Sequence, residues 1–219
     1  MQRQRLRGWE VAFSDRADGD LRVSARTASE PLAAVQERVL ADLGVDAVVV
    51  ARQVHGTDVV SVTERPAGYV VGLAEGDAVA TRLRRVAAAV HVGDCLPIAV
   101  GCEQGVAMLH GGWRGLADGV LAAGVRALRE LGVAAPLEAV IGPGAGACCY
   151  EVGEELREHF GVRAGRTLDL AAFAESQLRE LGVAAVRRTG ICTICDARFF
   201  SHRREGPSTG RQGGFAWLR

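Results

Sequence analysis

Apolar positions along the chain fall into two periods. From Leu32 to Leu43 they recur as Leu32, Val35, Val39, Leu40 and Leu43, the spacing of one helical face, and Gly44 supplies the stop. Residues 47–54 then run apolar and β-branched, as a buried strand does, and 59–62 repeat the pattern after a Gly-Thr-Asp turn. Arg65-Pro66-Ala67-Gly68 is turn chemistry. Buried strands are predicted at 86–92, 96–100 and 106–109, a helix at 116–131 closed by Gly132, and a short strand at 139–141. Helices at 152–160 and 168–181, a strand at 184–187 and an edge strand at 215–218 complete the pattern. Strands and helices are mixed without strict alternation. This favours a mixed α/β fold, a two-sheet core flanked by helices, over a doubly wound parallel sheet. No repeat or linker interrupts the pattern, so residues 1–219 read as one domain.

Composition narrows the function classes. Hydrophobic residues make up 48% and charged residues 24%, which excludes wholesale disorder. Basic and acidic residues number 26 each, so no bulk field holds the chain to nucleic acid or a membrane surface, and one barrier to forming a homo-oligomer is absent. Every basic residue is arginine, which excludes a lysine nucleophile, a Schiff base and a P-loop lysine. The charged start leads into no apolar stretch of signal-peptide length and no window is apolar enough to span a membrane, so the expected setting is the cytoplasm. Six cysteines are too sparse for a disulfide scaffold and are expected as thiols.

Three segments end an apolar strand with a soft-metal ligand: Gln53-Val54-His55-Gly56, Gly93-Asp94-Cys95-Leu96-Pro97 and His110-Gly111-Gly112-Trp113-Arg114. Two imidazoles and a thiolate suit zinc and leave a fourth position for water or substrate. The same residues admit a second chemistry, with Cys95 as nucleophile, His110 as base and Asp94 orienting it. In the metal scheme Asp94 is a general base or a hydrogen-bond partner of a ligand; otherwise it caps a turn.

Cys192-Thr193-Ile194-Cys195 lacks a spaced second pair, since Cys148 and Cys149 are adjacent, and reads as half-buried thiols positioning the loop that follows. That loop gathers Arg198, Arg203, Arg204 and Arg211 with Phe199 and Phe200: guanidinium groups suited to phosphate, and rings suited to stacking on a base. Read locally, a solvated or salt-bridged arginine segment is the slightly favoured account. Arg114 follows His110 closely enough to reach an anionic substrate group, or to pair with Asp118 one turn on.

Five blocks in this order resemble the bacterial laccase-domain proteins: QVHGTDVV at 53–60, GDAVAT at 76–81, GDCLPIAV at 93–100, HGGWRG at 110–115 with IGPGAGACCYEVG at 141–153, and CTICDARFFSHRREGPSTGRQ at 192–212. The resemblance implies zinc ligands at His55, Cys95 and His110, an α-β-β-α sandwich similar to toxin-type cysteine amidases, and purine nucleoside phosphorylase activity with adenosine deaminase activity. Its implied partners are a nucleoside and phosphate, and the clustering of arginines within these blocks makes Arg114, Arg198 and Arg211 the candidates for the phosphate. Copper is disfavoured, because one cysteine and two histidines cannot assemble the several coppers of a true laccase. The chain departs from the pattern before its first long helix. There the segments that help to build the substrate side of the pocket in the family are shortened, and the helix carries Val35-Gln36-Glu37-Arg38 where an Asn-Arg pair is common.

Overall fold

Alternation along the strands decides the layers. A computed structural model describes residues 1–22 and 31–219; residues 23–30, part of the shortened N-terminal segment, lie outside the described residues. The chain opens with β1 (Gln2–Arg5) and β2 (Trp9–Phe13), then α1 (Leu32–Leu43), β3 (Ala47–Arg52), β4 (Val59–Val62), β5 (Gly68–Glu75) and β6 (Ala78–Thr81). Its middle holds β7 (Val86–Val92), β8 (Leu96–Cys102), β9 (Gly105–Gly111), α2 (Trp113–Asp118), α3 (Val120–Glu130) and β10 (Glu138–Ile141). It closes with α4 (Glu154–His159), α5 (Leu170–Glu180), β11 (Ala185–Arg188), α6 (His202–Glu205) and β12 (Gln212–Leu218).

The strands form two six-stranded sheets, ordered β1-β2-β12-β7-β3-β5 and β11-β10-β8-β9-β6-β4. On β3, Val48 and Val50 pack against Val35, Val39 and Leu43 of α1, while Val49 and Ala51 turn towards the other sheet. On β9, Val106 and Met108 meet the first sheet, and Ala107 and Leu109 meet Leu121 and Leu128 of α3. The layers are therefore helix, sheet, sheet, helix, the expected α-β-β-α sandwich. Strands buried on both faces explain the unbroken apolar runs.

Several elements differ from the sequence reading. The helix expected over 116–131 is two helices, broken at Gly119, whose φ of 96° is left-handed. Apolar spacing continues across the break and hides it. The last strand begins at Gln212 and lies between β2 and β7 instead of at an edge, because Gly213 and Gly214 disguise its start. β1, β2, β5, β6 and α6 lie outside the predicted pattern, β1 and β5 because they are edge strands with little apolar alternation.

The chain passes from the first sheet to the second three times at the same end of the sandwich: after β3, after β5 and after β7. His55, Asp77 and Cys95 lie in those crossings.

Candidate metal centre and adjoining cavity

His55, Cys95 and His110 offer ligand atoms that all lie within 4.8 Å of one another. His110 comes from the end of β9 and is buried, Cys95 is half-buried, and His55 is exposed. The imidazole rings stand edge to face, 4.7 Å between centroids, and His55 Nε2 is 4.0 Å from Cys95 Sγ.

Sequence reasoning missed the group that holds this triangle. Asp77, fully buried, takes His110 Nδ1 at 2.7 Å. The same carboxylate accepts the backbone N–H groups of Val54, His55 and Gly56 at 3.1, 2.9 and 2.7 Å. Those bonds fix the His55 turn, where φ is 64° and a β-carbon is unfavourable at a cost of ~1–3 kcal/mol. With Nδ1 engaged, His110 presents Nε2 to the cluster, the arrangement that orients metal-ligating histidines. The signal in the sequence was the GDAVAT segment, which locally reads as a turn before a strand.

Electrostatics couple the same residues. Burial resists ionisation of Cys95, but the His110 charge and hydrogen bonds from His110 and His55 pull its thiol well below the ordinary value. Burial likewise opposes a charge on His110, and Cys95 and Asp77 outweigh it, raising the imidazole. Burial opposes the Asp77 charge too, and the bonds from His110, Gly56 and Val54 hold the carboxyl down. Two nitrogens and a readily ionised sulfur make a donor set that fits a borderline-soft divalent ion. Gly112 leaves the space: a Cβ there would stand 3.0 Å from His55 Cδ2 and 3.3 Å from Cys95 Sγ.

Asp94 has a different occupation. It is buried at a φ of 85°; Oδ1 accepts from Thr193 Oγ1 at 2.6 Å, and Oδ2 accepts from Ser201 Oγ at 3.1 Å and the Arg203 N–H at 2.7 Å. It ties the Cys95 turn to the segment between β11 and β12.

A cavity of about 740 Å³ opens beside the triangle. Arg211 lines it, together with Arg22, Arg52 and Arg203, whereas Arg114 and Arg198 are absent from its lining among the described residues. Arg114 lies over the Trp113 ring at 4.4 Å, and Arg198 forms a fork with Asp196. Phe199 and Phe200 are core residues, not stacking platforms. Arg22, without a local signal in the sequence, has a buried Nε with no hydrogen-bond partner. Burial and the neighbouring Arg22 charge lower the Arg211 pKa. Asp20 offsets part of this repulsion, its Oδ2 3.9 Å from Arg22 Nε and its Oδ1 accepting the Arg211 backbone N–H, and two such guanidinium groups at a cavity wall are suited to an anion.

The thiols of Cys192 and Cys195, expected to position the loop that follows, form a second cluster with those of Cys148 and Cys149, all four sulfurs within 4.8 Å. Adjacent cysteines do not keep the pairs apart, because the turn at 146–149 presents both side chains to Cys195.

The inter-sheet crossings thus bring His55, Cys95 and the buried Asp77 to His110 of β9, beside an arginine-lined cavity. The chain belongs to the family described as multi-copper polyphenol oxidoreductase laccase, which matches residues 11–219. A Streptomyces coelicolor relative named purine nucleoside phosphorylase is 36% identical over 99% of this chain and 98% of its own. An Aquifex aeolicus relative of the same name is 40% identical over 60% of this chain and 66% of its own. Among solved structures, a Neisseria meningitidis protein superposes with a TM-score of 0.82 at 30% identity, covering 96% of this chain and 94% of that one. The YlmD protein of Geobacillus stearothermophilus shares the fold, with a TM-score of 0.80 at 24% identity over 99% and 98% of the two chains.

Proposed function

We propose that this protein is a zinc-dependent purine nucleoside phosphorylase that also deaminates adenosine. It would convert adenosine, inosine or guanosine with phosphate into the free base and ribose 1-phosphate. One observation carries the reading: the His55–Cys95–His110 triangle adjoins a cavity lined by Arg22 and Arg211. The names borne by the relatives support it.

His55, Cys95 and His110 would hold the zinc, which supplies a Lewis acid at the cavity wall. Of the three arginines assigned to phosphate from sequence, Arg211 is kept and Arg22 takes the place of Arg114 and Arg198, which do not line the cavity. Guanidinium forks would place a phosphate oxygen against C1′ of the ribose. As the new O–C1′ bond forms, the bond from C1′ to the base breaks and its electron pair leaves with the purine, which takes up a proton. Asp94 acts in this scheme as a positioning residue, since its oxygens are engaged by Thr193, Ser201 and Arg203.

A second reading is a thiol amidohydrolase, favoured by the chain of contacts from Asp77 through His110 to Cys95 and by the lowered Cys95 pKa. One assay separates the two. Base release from adenosine or inosine that requires phosphate and disappears in His55→Ala supports the phosphorylase. Zinc-free protein that cleaves an amide, and loses this in Cys95→Ala, would replace it with the amidohydrolase.

A further inference from the structure

We propose that Cys148, Cys149, Cys192 and Cys195 form a second metal site, which takes one zinc ion as a closed tetrathiolate and staples together the loops that follow β10 and β11.

The argument begins with the two strands. β10 and β11 are parallel neighbours whose pairing ends at Ile141 and Arg188. Beyond it the chains stay side by side: Gly144 N–H donates to Ile191 O at 3.2 Å, Thr193 N–H donates to Gly144 O at 2.9 Å, and Gly144 bridges to Cys192. One loop then delivers Cys148 and Cys149, the other Cys192 and Cys195. Cys195 Sγ lies 3.4 Å from Cys148 Sγ and 2.9 Å from Cys149 Sγ.

In a tetrahedral site with Zn–S bonds of ~2.3 Å, neighbouring sulfurs are ~3.8 Å apart. The observed cluster lies around that value, with every sulfur within 4.8 Å of the others, so a single ion needs shifts of less than about 1 Å. The spacing leaves room for one ion and none for a cluster carrying its own sulfides. Four thiols with no carboxylate or imidazole select a soft or borderline ion. Backbone N–H groups of Gly146, at 3.3 Å, and Cys195 point at the Cys192 sulfur, as donors do towards thiolates. Gly146 is required there, since a Cβ would stand 2.9 Å from Cys192 Cβ.

None of the four cysteines lines the cavity, and all four positions around the ion are supplied by the chain, the mark of a structural site. Its influence would still reach the cavity along two short routes. Tyr150 follows Cys149, lines the cavity and lies under the Arg203 guanidinium at 4.9 Å. Thr193, between Cys192 and Cys195, donates to Asp94 beside Cys95.

The test is zinc content of the full chain purified under reducing conditions, measured in wild type, Cys195→Ser, Cys148→Ser and His55→Ala. Each cysteine variant is expected to lose about one zinc per chain relative to wild type, whether or not the His55 site is filled. His55→Ala is expected to keep that ion, so failure of the phosphorylase reading leaves this result intact. Cobalt(II) loading gives a second readout: thiolate-to-cobalt absorption of tetrahedral type should survive in His55→Ala and fall sharply in Cys195→Ser. If the cysteine variants fail to fold, alkylation of wild type serves instead, with added zinc protecting these four thiols. Zinc content unchanged in Cys195→Ser, alkylation indifferent to zinc, or a disulfide mapped among the four in zinc-loaded protein would overturn the proposal.

Discussion

The carboxylate of Asp77 binds His110 Nδ1 at 2.7 Å and, through three backbone N–H groups, also fixes the turn that carries His55. One buried acid thus orients two ligands of the triangle. Asp77→Asn keeps the shape but has one carbonyl oxygen where two carboxylate oxygens served four donors. Zinc affinity is expected to fall ~10–100-fold, the range found when partners of ligating histidines are removed. Competition with a chromogenic chelator measures it, and an unchanged affinity would show that Asp77 is not the organising group.

Phosphate recognition is predicted to rest on the arginines that face the cavity. Arg22→Ala or Arg211→Ala should raise KM for phosphate roughly tenfold or more, matching the ~1.5–3 kcal/mol of a charge-assisted hydrogen bond. Arg114→Ala and Arg198→Ala should leave it within about twofold, because their partners are Trp113 and Asp196. Steady-state kinetics at varied phosphate would decide; the reverse ranking would return the assignment to the surface pair.

Gly112→Ala tests the space at the triangle. The added carbon would lie against both the His55 ring and the Cys95 sulfur, so metal binding should weaken while the fold survives. Zinc content per chain alongside the far-ultraviolet spectrum would check this, with full zinc loading as the contrary result.

His91 predicts a pH effect on stability. Burial, helped by Arg211 and opposed by Asp20, lowers its pKa from 6.5 to about 4. Below pH 6.5 the unfolded chain takes up a proton that the folded chain refuses until about pH 4. Stability conferred by neutral His91 is therefore complete above the unfolded value and falls across this window by up to ~3 kcal/mol. Denaturation midpoints of wild type and His91→Gln between these pH values should diverge, with the variant less sensitive. Parallel curves would contradict the assignment.

Much of this was legible in the sequence because the residue types speak for themselves. His55 and His110 each end an apolar run beside glycine, Cys95 lies two residues after Gly93 between two apolar runs, and strand ends converge in any sandwich. Asp77 was not legible: it lies 33 positions from His110, and only the crossing after β5 brings it there. Arginine carried little information in a chain whose 26 basic residues are all arginine, so position in the fold had to separate Arg211 from Arg114. The aromatic pair misled for a related reason. Phe199 and Phe200 sit among arginines in sequence, but burial of their rings contributes more than an exposed stacking role would.

The three crossings have a mechanical meaning. His55 and Cys95 leave strands of the first sheet, His110 belongs to the second, and the ion they would share spans the seam. Sliding one sheet over the other would pull the ligands apart, so metal affinity and resistance to shear are one quantity seen from two sides. A filled site is a rivet: what is gained in gripping the ion is gained equally in locking the layers.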